Sequence, residues 1–285
     1  MALSVNGSNT SSTQKPVVVS PAKFEDLNGT VLFTDVSDEA IEKLRPHSFI
    51  VKLGAGKRLE TSRAKTNYLY FIRRGFVAIW IPSCFDSKQK VFLAWRGPHQ
   101  IIGELRQEGD EPSKTVIRTC DECEFIEIPL REFFRVAADE GLLYRNVAHL
   151  LLRKVTNEAH RLEVVQMNSA IGQVAQTLIH LAQERCEGFS LETTKTITIP
   201  GTLIRTQMAA YAGITRETFT RQLQILRGDN VISDSSIITI LDVPRLKKIA
   251  ETKPERPSKR QTKKQHVTTM SRSDSSRRFD QHHDD

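Results

Sequence analysis

"GITRETFTRQL", residues Gly213 to Leu223, sets exposed charge beside evenly spaced apolar residues immediately after a glycine. With its flanks it reads as a helix, a turn and a second helix over 205–226. Met208, Ala209 and Ala212 supply a small apolar inner face, Gly213 permits a sharp turn, Ile214 fills the corner and Thr215 caps the helix that follows. Phe219, Leu223 and Leu226 recur at i, i+4 and i+7 and bury one side of that helix. At 100° per residue, Arg216, Glu217, Thr220 and Arg221 fall within an arc of about 140° on a different side. One flank packs and the other presents. Ala209, four residues before the glycine, and Phe219, six after it, have the spacing of a helix-turn-helix, while Gln222 stands where a further apolar residue is usual.

The chemistry of the presented flank is that of base reading. The N-terminal part of such a second helix enters the major groove, where an Arg bonds guanine O6 and N7 in bidentate fashion and a Glu accepts from cytosine N4. Two arginines and a glutamate can therefore read neighbouring G·C pairs. Arg205, Thr206 and Gln207, at the start of the first helix, are placed for phosphate, which sets register and not sequence. Downstream, "LRGDNVISDSSIITILD" turns at Gly228, Asp229 and Asn230 into two short β segments, a wing.

Outward from this motif the texture changes twice. From about Phe49 to Ile128, short apolar or alternating segments such as "NYLYFIRRGFVAIWI" and "CEFIEIPL" are punctuated by turns and predict an antiparallel β-roll or barrel. From Leu130 the period becomes helical. Leu143, Val147, Leu151, Val155, Leu162 and Val165 mark one long amphipathic helix whose seam suits a coiled-coil-like contact with a second copy. "AIGQVAQTLIHLAQER" is a further helix and "KTITIP" a short strand. The fold class expected is α+β: a disordered N-terminus over 1–22, a β-roll over 23–138, a dimerisation helix over 139–167, a winged helix-turn-helix over 168–250 and a disordered basic tail over 251–285.

The chain has 285 residues, with 41 Lys and Arg against 34 Asp and Glu, a net charge of +7 that suits an anionic partner. No apolar run approaches the ~20 residues that span a bilayer, and the N-terminus lacks a signal-peptide pattern, so a cytoplasmic protein with no membrane partner is expected. Four cysteines in a chain of this length do not make a disulfide framework. There is no P-loop, dinucleotide glycine fingerprint, HExxH or GxSxG, so no catalytic residue is assigned and an enzyme is not expected.

The order of these parts resembles the Crp/Fnr family of bacterial transcription factors. The resemblance covers about 30–245, with "IVKLGAGKRLE", Gly75 of "IRRGFVAIW", "IIGEL" and "GQVAQTLIHLA" in the family's order and "TRETFTRQLQILRGDNVIS" as the most specific match. It implies base reading by Arg216, Glu217 and Arg221. It also implies a half-site closer to GTGA than to TTGAT, a homodimer on a palindrome of double-stranded DNA, and RNA polymerase as a partner. A constitutive or protein-controlled regulator with no small effector is the alternative.

Effector residues follow the family only in part. Members that bind cyclic nucleotide hold the ribose with a Gly-Glu pair and the phosphate with an Arg-Ser pair. Gly103 and Glu104 match the first, but Pro112–Ser113, or Ser113–Lys114, stands at the second. Without the bidentate Arg the phosphate site is degraded. Glu158 and Ala159 replace the base-contacting Thr-Ser pair of the helix. Gly103, Glu104, Ser113 and Lys114 are thus the candidate effector pocket, with a structural role for Glu104, bonding local backbone amides, as the competing reading; cyclic AMP is disfavoured and no cofactor is predicted. The clustered N-terminal cysteines of an iron-sulfur regulator are absent. Cys120 and Cys123, spaced CxxC, are expected to pack on opposite strand faces. His47, His99, His149 and His160 are read as surface or core residues and not haem ligands, and no metal site is assigned.

Overall fold

A computed structural model describes residues 16–63, 66–86, 88–103, 114–234 and 237–252. Strand β1 (Val17–Pro21) leads into short helices α1 (Phe24–Asn28) and α2 (Asp38–Leu44), separated by a 3-10 turn. Ser37 caps α2 by accepting from the amide of Ala40, with Asp38 and Glu39 in its first turn where the helix dipole favours negative charge. Then come β2 (Phe49–Leu53), β3 (Arg58–Leu59), β4 (Ser62–Arg63), β5 (Thr66–Arg74), β6 (Val77–Pro82), β7 (Lys90–Arg96), β8 (Ile101–Ile102), β9 (Val116–Thr119) and β10 (Cys123–Pro129).

All pairings are antiparallel. One sheet runs β1-β2-β10-β5-β4, with β8 also on β5, and a second runs β3-β9-β6-β7. Side chains alternate between strand faces, so β5 feeds two cores at once. Leu69 and Phe71 join Ile50, Ile126 and Ile128 beneath the helices. Tyr70 and Ile72 join Val51, Leu53 and Phe125 inside the roll. Burial on both faces is why these strands are written as nearly continuous apolar runs and not as strict alternation.

Two departures from expectation lie here. Residues 17–21, assigned to a disordered N-terminus, form β1 on the edge of the first sheet, with Val18 opposite Val51. Their three consecutive valines have high strand propensity, which the polar composition around them masked. The 120–123 stretch is also not strand throughout. Cys120, Asp121 and Glu122 make the turn between β9 and β10, so the opposite-face argument for the two thiols fails. The Cys120 amide and the Cys123 thiol both donate to the Phe76 carbonyl, at 2.7 and 3.3 Å.

Helix α3 (Leu130–Ala137) returns to the roll, and α4 (Gly141–Met167) runs for 27 residues, about 40 Å. Its apolar stripe is not one seam. Leu143 and Val147 are buried in the chain's own core. Val165 sits against Gly213 of the helix-turn-helix. Leu151, Leu152, Val155 and Leu162 stay exposed, Leu152 and Val155 by about two thirds (64% and 65%).

After α4, Ser169 caps α5 (Ala170–Arg185). The C-terminal part then adds β11 (Ile197–Thr198), α6 (Arg205–Ala212), α7 (Arg216–Gly228), β12 (Ile232–Asp234), β13 (Ile238–Ile240) and α8 (Val243–Ala250). The wing is a three-stranded sheet in the order β11-β13-β12. Helix α8 went unread from the sequence, although Asp242 at its cap and Pro244 at its start are helix-start residues. The tail expected to be disordered, 251–285, lies outside the described residues from 253 onward, and the Thr252 carbonyl accepts from the Ser169 amide at 2.9 Å.

The two halves share a core. Ala78, Phe92 and Trp95 of the second β sheet are buried in one cluster with Leu178, Met208, Ala212 and Phe219 of the C-terminal helices. Among the described residues no helix is long and apolar enough to cross a membrane.

Candidate DNA-recognition surface

Gly213 adopts φ 74° and ψ 21°, the left-handed conformation that ends α6 and that a side chain rarely tolerates. A Cβ there would also press on the Val165 methyls, 2.8 Å away. The glycine is thus required twice, by its own torsions and by the close approach of α4. Thr215 caps α7, its Oγ1 accepting from the Thr218 amide at 3.2 Å. Phe219, Leu223 and Leu226 are fully buried below it, and Ala209 is buried at the tight position of α6. The packed flank is as the spacing predicts.

The opposite flank is open. Arg216, Glu217 and Arg221 are exposed, and among the described residues no hydrogen bond or ion pair engages their side chains. Thr220 is half-buried and donates its hydroxyl to the Arg216 carbonyl at 2.8 Å, leaving its oxygen able to accept. Two guanidinium forks and a carboxylate therefore stand unpaired at the N-terminal end of a rigid, capped helix. That is the donor and acceptor set for base edges in a major groove.

Of the three residues expected on phosphate, one is free and two are engaged elsewhere. Thr206 is exposed. Arg205 donates from Nη2 to both oxygens of Asp234, at 2.9 and 2.7 Å, tying α6 to wing strand β12. Its first role is to hold the wing. Gln207 turns toward the β-roll, where its Oε1 accepts from the Trp95 indole at 3.1 Å. This corrects the phosphate reading of Gln207: an indole N–H buried on β7 needs an acceptor, and no sequence neighbour supplies one.

Around that bond lies a layer the sequence did not disclose. Tyr211 packs on Trp95, with ring centroids 5.1 Å apart, and stacks on His180 at 4.9 Å. Arg161 of α4 lies over the Tyr211 ring at 4.5 Å, donates to the carbonyls of Tyr211 and Leu93, and pairs with Glu158. Glu158 also takes Arg96 of β7 at 3.3 Å. Glu158, which by the family resemblance stands where the base of a cyclic nucleotide is contacted, is therefore spent on an internal bridge. Burial drives the His180 ring down to about 4, so it is neutral at pH 7, and raises the Tyr211 hydroxyl.

The candidate effector pocket is described only at its edges. Gly103 has φ 125°, and a Cβ there would collide with the Tyr68 carbonyl, 2.7 Å away, so its glycine is structural. Lys114 is exposed. Glu104 and Ser113 lie outside the described residues. Burial pushes the Cys120 thiol up to about 11 and Cys123 up to about 12, the direction opposite to that of a reactive thiolate. His47 is 3.8 Å from Glu132, His99 packs on Phe71, and His149 and His160 are exposed. Among the described residues no cluster of three His, Cys, Asp or Glu side chains could hold a metal.

Residues 172–249, from α5 through the wing to α8, match the Crp-like helix-turn-helix domain family. The C-terminal part of the chain thus carries a Crp-like helix-turn-helix domain. Solved structures show the same fold well beyond that domain. FixK2 from Bradyrhizobium japonicum superposes with a TM-score of 0.58 at 13% identity, covering 73% of this chain and 99% of its own. A Crp/Fnr-family transcriptional regulator from Thermus thermophilus gives 0.55 at 18%, covering 72% of this chain and 100% of its own. CLP of Xanthomonas campestris, described as a c-di-GMP responsive global regulator, gives 0.56 at 19%, covering 72% of this chain and 99% of its own. No curated protein matches the chain.

Proposed function

We propose that this Crp/Fnr-type regulator acts in the cytoplasm as a homodimer that reads a palindrome of GTGA-type half-sites, with Arg216, Glu217 and Arg221 on base edges and Thr206, Thr215 and Thr220 on the flanking backbone. The observation that carries the reading is the unpaired guanidinium–carboxylate–guanidinium set at the exposed tip of α7, seated by a buried Phe219 and a left-handed Gly213. The open stripe Leu151, Leu152, Val155 and Leu162 on α4 is the surface through which two copies associate. Two recognition helices are then spaced by one DNA turn, about 34 Å. RNA polymerase is the partner through which a bound dimer alters transcription.

Gating by the β-roll is favoured over constitutive binding by one feature. The first helix of the DNA-reading unit is joined to β7 through Trp95–Gln207 and to α4 through Arg161–Tyr211, so a change in the roll or in α4 displaces α6 directly. Selection of binding sites from random duplexes tests the DNA reading. Enrichment of symmetric GTGA/TCAC sites supports it, and recovery of no symmetric motif sinks it.

A further inference from the structure

A cleft of about 740 Å³ opens between the β-roll, α4 and the C-terminal end of α5, within the usual range for small-molecule sites. It is walled by Phe76, Ile101, Leu150 and Pro200 among others. Against it stands Arg185, the last residue of α5, whose side chain has no solvent exposure. Its Nη1 donates to the Pro200 carbonyl at 3.1 Å and its guanidinium stacks on Phe76 at 4.3 Å. Among the described residues Nε and Nη2 have no acceptor. The nearest carboxylate, Asp121, is 3.8 Å from Nη1 and does not reach them. The neighbouring Cys120 thiol, held protonated by burial, is a weak acceptor that cannot satisfy a guanidinium.

The α5 C-terminus eases the cost of burying a cation there but offers these two N–H groups no acceptor. A desolvated guanidinium with two empty donors is expensive to hold and is completed by an anion that meets both in bidentate fashion. Arg153 and Lys154 add positive charge at the α4 wall, Lys154 donating to the Ile101 carbonyl at 3.0 Å. Opposite them are Asp121, Glu122, Glu187 and Glu184, the last accepting from Gln100 at 2.6 Å. Cations and carboxylates are nearly balanced, which disfavours a polyanion such as nucleic acid and suits a molecule with one anionic head and hydrogen-bond donors elsewhere.

We infer that this cleft binds a small metabolite of that kind, its carboxylate or phosphate meeting Nε and Nη2 once the Arg185 side chain, which has no exposed surface in the free protein, turns toward the cleft. The inference goes beyond the DNA reading, and its test does not use DNA. Full-length protein is melted with inorganic phosphate or with acetate against chloride at matched ionic strength. One of the two raises the melting temperature, by roughly 5–10 °C once the probe is about 100-fold above its Kd, and the responding arm identifies the head group. Arg185→Met, which keeps the length and removes the charge, shows no rise. Arg216→Ala/Arg221→Ala keeps it, which excludes the recognition helix as the anion site. Hydrogen exchange on the wild type supplies a second readout that needs no variant: the probe slows exchange over 183–187 and 200–201. No rise with either probe, an equal rise in Arg185→Met, or protection confined to α7 overturns the site.

Discussion

Arg221 takes no part in holding the fold, so its proposed role in base reading can be tested without disturbing stability. It is exposed and unpaired among the described residues, so Arg221→Ala leaves the melting temperature unchanged. On DNA it costs about 1–3 kcal/mol and relaxes discrimination at one G·C pair, as competition assays against single-base operator variants will measure; an equal loss on random duplexes would contradict base reading. His180 is the converse, a residue that acts through stability. Its folded-state ring titrates near 4, below the ordinary value of 6.5 for an unfolded chain. Between these values the unfolded state takes up a proton that the folded state refuses, so stability is full above about pH 6.5 and falls as the pH drops toward about 4. The fall is on the order of 3 kcal/mol at most for this one group. His180→Phe keeps the stacking on Tyr211 and removes this part of the pH slope in urea unfolding at pH 7 and pH 5.

At the scale of the element, the turn and the long helix each carry a distinct constraint. Gly213→Ala meets both a positive φ and the Val165 side chain, and costs about 1–3 kcal/mol in denaturant unfolding. A stability equal to wild type would show that α4 yields without strain. On α4, Leu152 and Val155 are exposed within the open stripe, so Leu152→Glu/Val155→Glu leaves the monomer folded but places charge in the proposed dimer contact. Sedimentation then reports a monomer, and affinity for the palindrome falls by roughly 100-fold or more as linked binding of two half-sites is lost. A dimer that survives these changes would place the contact elsewhere. The spacing reads the stripe as one seam, and the structure divides it. Periodicity shows that a face is apolar, not what covers it. Here one face serves the roll through Leu143 and Val147 and the turn through Val165, and only its middle is open.

At the scale of the molecule, the roll and the helix-turn-helix unit share one buried core among the described residues. Trp95 is fully buried in the core of the C-terminal helices although it belongs to β7. Calorimetry is therefore expected to show a single transition, and Trp95→Ala to lower stability by about 3–5 kcal/mol and to separate the unfolding of the two halves. Two transitions in the wild type would deny the shared core. The same coupling is the route of the proposed gating, because α6 cannot move without breaking Trp95–Gln207 or Arg161–Tyr211.

What the amino-acid order determined alone were features written in neighbours: the cap at Thr215, the left-handed turn at Gly213, the packed triplet Phe219, Leu223 and Leu226, and the presented charges between them. Each depends on contacts within a few residues, where helical period and turn chemistry are sufficient. Only the tertiary structure decided the rest. Arg205 goes to Asp234, Gln207 to Trp95, and Arg185 to a cleft with two donors unfilled. The first two pairings join residues 29 and 112 positions apart, and in the third case Nε and Nη2 have no hydrogen-bond partner among the described residues. A polar side chain has the same local signature whether it ends on phosphate, on indole or on nothing; its partner is chosen by how the elements close on one another.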